Sequence, residues 1–248
     1  MADTRFHFSR RALIGGIASS GGLLLSGCDE QAPTYGNILR MGDNLTYNAQ
    51  RLFLSRSGLV REYDRSEITS MPAIGTVDPA RAEGGEEYAA LQRGEFAGWR
   101  LEVGGSVDRP RTFSLAELKR MKSRTQITKH MCEEGWTAIA EWTGVPLRSI
   151  LEAVGIGPSA RFVQFHSFDQ WHDGVDLIDA FHPQTILAYG MNGRDLPIAH
   201  GAPLRLRVER QIGYKSLKFL RRIVVTDHFD DFGKDGSMQH GWAWHVGI

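Results

Sequence analysis

The chain is organised around the stretch Ile127-Thr128-Lys129-His130-Met131-Cys132-Glu133-Glu134-Gly135-Trp136. Its apolar and polar residues alternate, which predicts a β-strand that ends at Cys132. A thiolate at a strand end can bind a soft metal or act as a nucleophile, whereas a buried structural cysteine behaves as a small apolar side chain. This stretch alone leaves all three interpretations open.

The first residues carry an export pattern. Ser9-Arg10-Arg11-Ala12-Leu13-Ile14 is a twin-arginine pattern, a weakly hydrophobic Gly/Ser-rich segment follows, and Leu25-Ser26-Gly27-Cys28 has the form of a lipoprotein-processing site. We therefore expect residues 1–27 to be a twin-arginine lipoprotein signal peptide. The expected mature chain is periplasmic and is tethered to the inner membrane through lipidated Cys28.

The chain contains two cysteines. An exported compartment favours disulfides, yet acylation of Cys28 would leave Cys132 without a partner. An unpaired thiol in an oxidising space is a liability unless it is buried or bound to something. The cysteine count therefore favours a ligand role for Cys132.

Composition narrows the class of protein. The 248 residues have a formal net charge of zero, so nucleic acid is not an expected partner. No uninterrupted apolar stretch reaches the ~18 residues of a membrane-spanning helix.

The regular pattern is concentrated in the second part of the chain. Residues 28–95 are polar and weakly periodic, so we predict a linker and an irregular wrapping segment, followed by one domain over residues 96–248. A capping box at Ser114 and Glu117 begins one predicted helix, and Pro146 and Gly155 bracket a second. Strands are predicted at 99–103, 161–166, 186–189, 196–198, 204–209 and 222–227. Because they do not alternate regularly with helices, the expected fold class is α+β, with mixed β-sheets and short helices.

Three further segments carry a resemblance. Residues 187–193 read Leu-Ala-Tyr-Gly-Met-Asn-Gly, residues 200–205 read His-Gly-Ala-Pro-Leu-Arg, and residues 213–219 read Gly-Tyr-Lys-Ser-Leu-Lys-Phe. In this order they resemble the molybdopterin-dependent oxidoreductases of the sulfite oxidase family, and within it the exported bacterial subunits related to protein-methionine-sulfoxide reductase. The resemblance implies a sulfite-oxidase-type molybdopterin-binding domain with Mo-molybdopterin as its cofactor.

The resemblance also implies a set of site residues. Cys132 takes the place of the molybdenum-bound thiolate and is the expected catalytic and metal-binding residue. The expected cofactor-binding residues are Asn44, Tyr47, Asn48, Ser167, His200, Arg205, Ser216, Leu217 and Lys218. Their chemistry agrees, because a phosphate needs cations and pterin nitrogens need amide and hydroxyl partners. Each residue also has an ordinary alternative as a turn cap, a loop residue or a solvated charge.

The sequence departs from sulfite oxidases at the metal cysteine. Those enzymes carry an arginine-rich segment after it and a tyrosine that faces the metal, whereas here Glu133 and Glu134 follow Cys132 and no tyrosine follows Tyr214. Carboxylates near the entrance would repel sulfite. We therefore expect oxygen-atom transfer to or from a small-molecule substrate, with S- or N-oxide reduction favoured. Oxidation of a sulfur oxyanion is the alternative.

Several points stay open in the sequence. With no Cys-x-x-Cys-His haem motif, electrons are expected to pass to a separate redox partner, plausibly a membrane haem protein. Trp242 or Trp244 could replace the missing tyrosine or simply pack. Other classes are a hydrolase or transferase with Cys132 as nucleophile and His130 or His166 as base, or a cofactor-bearing lipoprotein without turnover.

Overall fold

The computed structural model describes residues 35–53, 55–228 and 242–248, and the side chains from residue 41 onward. The predicted signal peptide and Cys28 fall outside these residues. The chain divides into a small unit, residues 1–39, and a large unit, residues 40–248, which contains both β-sheets. No helix in the described ranges is long and apolar enough to cross a bilayer.

The first sheet has five strands in the order β2-β1-β10-β5-β6. Its strands are β1 (Arg100–Gly105), β2 (Arg111–Ser114), β5 (Phe162–Ser167), β6 (His172–Asp176) and β10 (Leu220–Thr226). Strands β1 and β10 run parallel, and the other neighbours are antiparallel. The sheet is therefore mixed, as expected for the α+β class.

The second sheet has the strand order β3-β4-β7-β8, with β9 paired to β7, and all of its pairings are antiparallel. Its strands are β3 (Arg124–Met131), β4 (Thr137–Pro146), β7 (Ile186–Met191), β8 (Arg194–Asp195) and β9 (Arg205–Arg207). Strand β3 ends one residue before Cys132, which confirms the predicted strand. Asn192 and Gly193, both with positive φ, form the predicted turn between β7 and β8.

The described part of the chain contains the α-helices α1 (Tyr35–Phe53), α2 (Glu86–Arg93), α3 (Leu115–Arg120), α4 (Leu147–Val154) and α5 (Leu177–Ala180). Helix α3 begins at the predicted capping box. Helix α4 has the predicted bounds and buries residues at the i, i+3, i+4 and i+7 positions. The segment 28–95 was expected to be irregular, and this was wrong for the residues of α1 and α2.

Helix α1 docks on the large unit's helix α5 region through polar side chains near its C-terminal end. Its inward face carries Arg51, which donates to the carboxylates of Asp176 at 2.9 Å and Asp179 at 2.8 Å. The Tyr47 hydroxyl donates to Asp176 at 2.8 Å. This helix therefore docks through charged and polar side chains, while large apolar side chains such as Leu45 and Leu52 are exposed.

The two faces of the second sheet are used differently. Leu187 and Leu206 point into the main core, which fills the space between the two sheets and α4. Ile186 and Ala188 point the other way and pack with Trp142 in a second cluster. Since side chains alternate along a strand, β9 presents Arg205 and Arg207 on the Trp142 face. This second face forms the floor of the candidate site.

Gly144 sets the spacing of the second sheet. The pairing of β4 with β7 shifts register between Thr143 and Gly144. A Cβ at Gly144 would lie 2.1 Å from the Leu187 carbonyl oxygen and 2.6 Å from the Ala188 Cα. The backbones therefore approach more closely than any side chain allows.

We predict that Gly144→Ala lowers the free energy of unfolding by about 2–4 kcal/mol, because β4 and β7 must separate to admit the methyl group. The matched control is Gly104→Ala in β1, where no atom lies within 4 Å of the added Cβ, and its effect should stay within about 1 kcal/mol. Urea unfolding of both variants gives the comparison. Equal effects would contradict the assigned approach of the two strands.

Candidate active site

A cavity of about 380 Å³ lies where β3, β9 and several loops meet. It is lined by residues 71–76, by the end of β3 and its turn, by Asp169 and Trp171, by residues of the 199–205 and 213–218 segments, and by Trp242. Six of the predicted site residues line it, namely Cys132, His200, Arg205, Ser216, Leu217 and Lys218. The fold therefore brings together residues that are far apart in sequence.

Cys132 stands at the turn between β3 and β4. Its amide donates to the Trp136 carbonyl at 3.0 Å, and its own carbonyl accepts from Gly135, whose φ is +90°. The thiol is 7% exposed and donates to Glu133 Oε2 at 3.5 Å. Burial raises the pKa of the Cys132 thiol from 9.0 to about 11, and the carboxylates of Glu133 and Glu134 add to the rise. The free thiol is thus protonated at neutral pH and is a weak nucleophile.

Arg205 carries the main cationic feature of the cavity. Its Nη1 donates to the His200 carbonyl at 3.0 Å and its Nη2 to the Ser216 carbonyl at 2.8 Å. Its buried Nε has no hydrogen-bond partner among the described residues. Burial, and then the charge of Arg207, hold the pKa of Arg205 well below its usual range. The site thus contains a desolvated cation with an unused hydrogen-bond donor.

Arg207, two residues further along β9, has a carboxylate partner, which Arg205 lacks among the described residues. It makes two hydrogen bonds to the carboxylate of Glu209, at 3.0 and 2.7 Å. Both guanidinium groups lie over the Trp142 ring, at 4.9 Å for Arg205 and 4.5 Å for Arg207. Among the described residues, Glu209 therefore pairs directly with Arg207 and acts on Arg205 only through its charge.

Lys218 lies beside the segment that closes the cavity. Its Nζ donates to the carbonyl oxygens of Ile74 at 2.8 Å, Thr76 and Ala199. Burial and the charge of Arg205 lower the pKa of Lys218 to about 8, while Asp169 acts in the opposite direction. A phosphate contact with Lys218 would replace one of these carbonyl contacts, because an ammonium has three donors.

His130 is unsuited to act as a base for Cys132. Its Nδ1 is 2.8 Å from Arg207 Nη1 and accepts from it, and burial together with the nearby arginines lowers the pKa of His130 to about 2. The ring also lies against Gly213, where an added Cβ would be 2.5 Å from Nε2. The alternative base, His166, lines a separate cleft. The geometry therefore supports neither His130 nor His166 as the base of a nucleophilic Cys132.

Four predicted cofactor residues do not line the cavity. Asn44 Oδ1 accepts from Trp244 Nε1 at 3.3 Å, Tyr47 is engaged with Asp176, and Asn48 is exposed on α1. Ser167 is buried at the end of β5, and its Oγ has no described partner. It lines the separate cleft with His166. The roles assigned to these four residues stay predictions.

Some lining residues had no signal in the sequence. Residues 71–76 and Asp169 are loop positions without a motif, and only tertiary structure brings them to the cavity. Trp242 and Trp244 were alternatives for one position, and they separate here. Trp242 lines the cavity, whereas Trp244 packs on Tyr47 with ring centroids 4.7 Å apart.

Comparisons with known proteins assign the chain to a family. Residues 89–232 match the family model of the oxidoreductase molybdopterin binding domain, so the chain belongs to this family of molybdopterin-dependent enzymes. The predicted sulfite-oxidase-type family and its Mo-molybdopterin cofactor are thereby confirmed.

Two similar proteins are both named as subunits of protein-methionine-sulfoxide reductases. The putative protein-methionine-sulfoxide reductase subunit YedZ1 of Azospira oryzae is 37% identical over 54% of this chain and 52% of its own length, so this chain spans about half of that relative. The protein-methionine-sulfoxide reductase catalytic subunit MsrP of Xanthomonas axonopodis pv. citri is 29% identical over 99% of this chain and 75% of its own length.

A solved structure supports the fold. The sulfane dehydrogenase SoxCD from Paracoccus pantotrophus aligns with a TM-score of 0.51 and 23% identity, covering 53% of this chain and 39% of that one. At this identity the likeness concerns the architecture alone, and it confirms the predicted α+β class.

The residues present fit the family's cofactor. A phosphate-bearing group supplies the anion that the orphaned Nε of Arg205 lacks, and Lys218 is a second cation in the same cavity. A soft metal suits the buried sulfur of Cys132. These residues would therefore hold Mo-molybdopterin between a cationic end and a thiolate end.

The two arginines of β9 give a matched test. Arg205→Met removes an uncompensated buried charge but orphans two carbonyls, so the cofactor-free protein should stay within about 1 kcal/mol of wild type. Arg207→Met leaves the buried Glu209 carboxylate without its cation and should lower the free energy of unfolding by about 3–5 kcal/mol. Urea unfolding of both proteins, made in a host unable to synthesise the cofactor, measures this. In a competent host, Arg205→Met should lose most of its molybdopterin; equal stability losses with normal cofactor content would contradict the assignment.

The reactivity of Cys132 follows from its pKa. In the cofactor-free Cys28→Ala protein, alkylation by iodoacetamide should rise about tenfold per pH unit through pH 9, because the thiolate fraction is still growing toward a pKa of about 11. An exposed cysteine levels off near its ordinary value of 9.0. The rate is followed by intact-mass spectrometry. A plateau at or below pH 8 would restore the nucleophile interpretation.

Proposed function

We propose that this protein reduces an S-oxide, with methionine sulfoxide as the first substrate to test, and that a separate redox partner supplies the electrons. The observation that carries the proposal is one cavity lined by both the buried sulfur of Cys132 and the buried guanidinium of Arg205, whose Nε has no described hydrogen-bond partner. The Azospira and Xanthomonas relatives are named as subunits of protein-methionine-sulfoxide reductases, which supports both this substrate class and a separate partner.

The proposed reaction takes a sulfoxide, two electrons and two protons to a sulfide and water. Mo-molybdopterin, when bound, supplies a redox-active metal that exchanges oxygen and electrons. Cys132 would hold the metal through its thiolate, while Arg205 and Lys218 would hold the phosphate. Trp136 and Trp242 line the cavity beside these groups and reduce the access of water.

The carboxylates beside Cys132 favour a neutral substrate over an anionic one. Glu133 and Glu134 both line the cavity. A sulfite ion approaching Cys132 would pass two negative charges, whereas a sulfoxide carries none. Oxidation of a sulfur oxyanion is therefore the second candidate activity, and it is tested in the same assay.

The test is a turnover assay on molybdenum-loaded protein. With a reduced viologen dye as donor, we expect oxidation of the dye with methionine sulfoxide, weaker turnover with N-oxides, and little sulfite oxidation with an artificial acceptor. Preference for sulfite would contradict the proposed direction. Absence of turnover in a molybdenum-loaded protein would favour the non-catalytic interpretation.

We predict that Cys132→Ser lowers sulfoxide turnover at least about 100-fold, because a hard oxygen replaces the soft ligand of the metal. The control is Met131→Ser on the neighbouring position, whose side chain is 36% exposed and points to the other face of the strand. It should keep most of the activity in the same dye assay. Equal activity of the two variants would remove Cys132 from the site.

Export and anchoring are the second part of the proposal. We infer from the leader that the chain is carried out folded by the twin-arginine route and held at the inner membrane by acylated Cys28. Replacing Arg10 and Arg11 by lysine should retain the protein in the cytoplasm, and Cys28→Ala should move it from the membrane to the free periplasmic fraction. Cell fractionation and immunoblotting measure both, and unchanged distributions would refute the assignment.

A further inference from the structure

The sulfur of the candidate site is flanked by two carboxylates. Glu133 Oε2 accepts from Cys132 Sγ at 3.5 Å, and Glu134 Oε2 accepts from Trp136 Nε1 at 3.2 Å. Both glutamates line the cavity and both are exposed to solvent. Negative charge therefore stands where a substrate must enter to reach Cys132.

These carboxylates are not neutralised by the cations of the site. Among the described residues, neither Glu133 nor Glu134 makes an ion pair with a lysine or arginine. Of the cations that line the cavity, Arg205 is buried and Lys218 is half-buried, and the unpartnered Nε of Arg205 assigns that part of the cavity to an anionic group. The site is thus polarised, with cations inside and carboxylates beside the sulfur.

Aromatic rings form the rest of the entrance. Trp242 is 37% exposed, and its ring lies 4.9 Å from Tyr214 and 5.6 Å from Trp171 between centroids. All three rings line the cavity. Aromatic faces bind sulfur-containing side chains and also attract organic cations.

We propose that this acidic, aromatic entrance selects sulfoxides carried on basic peptide segments, in which a lysine or arginine flanks the oxidised methionine. The inference rests on the proposed function and adds the charge of the substrate to it. The sulfoxide side chain enters between the rings, and the flanking cations meet Glu133 and Glu134 outside. Peptides with acidic flanks meet like charges at the same place.

Ionic strength should control the size of this preference. Exposed charges attract weakly and are screened by salt, so each flanking charge should change the efficiency by several-fold rather than by orders of magnitude. In about 1 M salt the Debye length falls to about 3 Å, which leaves little of the long-range attraction. The preference should then largely disappear.

The experiment compares three matched peptides on the molybdenum-loaded protein. Each contains one methionine sulfoxide, flanked on both sides by lysine, glutamine or glutamate. We expect kcat/KM to fall in that order, with a lysine-to-glutamate ratio of about tenfold or more at low ionic strength and within about twofold in 1 M salt.

Charge variants locate the effect. Glu133→Gln should reduce the lysine-to-glutamate ratio, and Glu133→Lys should invert it, because the ratio compares two substrates on the same protein and is independent of loading. Glu83→Gln, an exposed glutamate outside the cavity, should leave the ratio unchanged.

The outcomes separate the two proposals. Turnover of all three peptides with equal efficiency, or a ratio unaffected by Glu133→Gln, overturns the charge selection and leaves sulfoxide reduction standing. No turnover of any peptide or of free methionine sulfoxide by loaded protein overturns both.

Discussion

The site depends on an imbalance between two buried guanidinium groups. Arg205 and Arg207 stack on the same tryptophan, yet among the described residues Glu209 forms its ion pair with Arg207 and not with Arg205. Desolvating a charge costs several kcal/mol unless an opposite charge compensates it. The fold accepts this cost at Arg205, and an anionic cofactor group is what would offset it.

The antiparallel second sheet brings Arg205 and Cys132 to the same cavity. Arg205 lies on β9, and Cys132 directly follows β3. Strands β4 and β7 lie between β3 and β9 in the sheet. Both side chains reach the same cavity because alternate residues of each strand face it. Arg207, which pairs with Glu209, also donates a hydrogen bond to His130 Nδ1. Because His130 lies two residues before Cys132, this contact fixes the end of β3. Arg205 is therefore positioned by a strand, and Cys132 by the turn that directly follows one.

Much of this arrangement was predictable because its signals are local. The capping box at Ser114, the i, i+3, i+4 pattern of α4 and the turn at Asn192 and Gly193 each depend on neighbouring residues, and all three were found. The strand leading to Cys132 alternates cleanly because it lies at a sheet edge with one buried face. These features bring with them the cysteine and, through the ordered motifs, Arg205 and Lys218.

Other elements depend on tertiary structure and were missed. Strand β4 lies between β3 and β7 and is buried on both faces over much of its length, so it lacks a period of two. Helix α1 docks through Arg51 and Tyr47. Its Asn44 and Tyr47 hydrogen-bond to Trp244 and Asp176, and their cofactor roles stay predictions. Residues 71–76 have no pattern at all and reach the cavity only through the folded chain.

The central claim is that the sulfur of Cys132 binds the metal of the site. X-ray absorption at the molybdenum edge tests this most directly, with loaded wild-type protein compared with loaded Cys132→Ser. The number of sulfur neighbours of molybdenum should fall by one in the variant, and an oxygen should take its place. An unchanged sulfur count in protein that still binds molybdenum would contradict the claim.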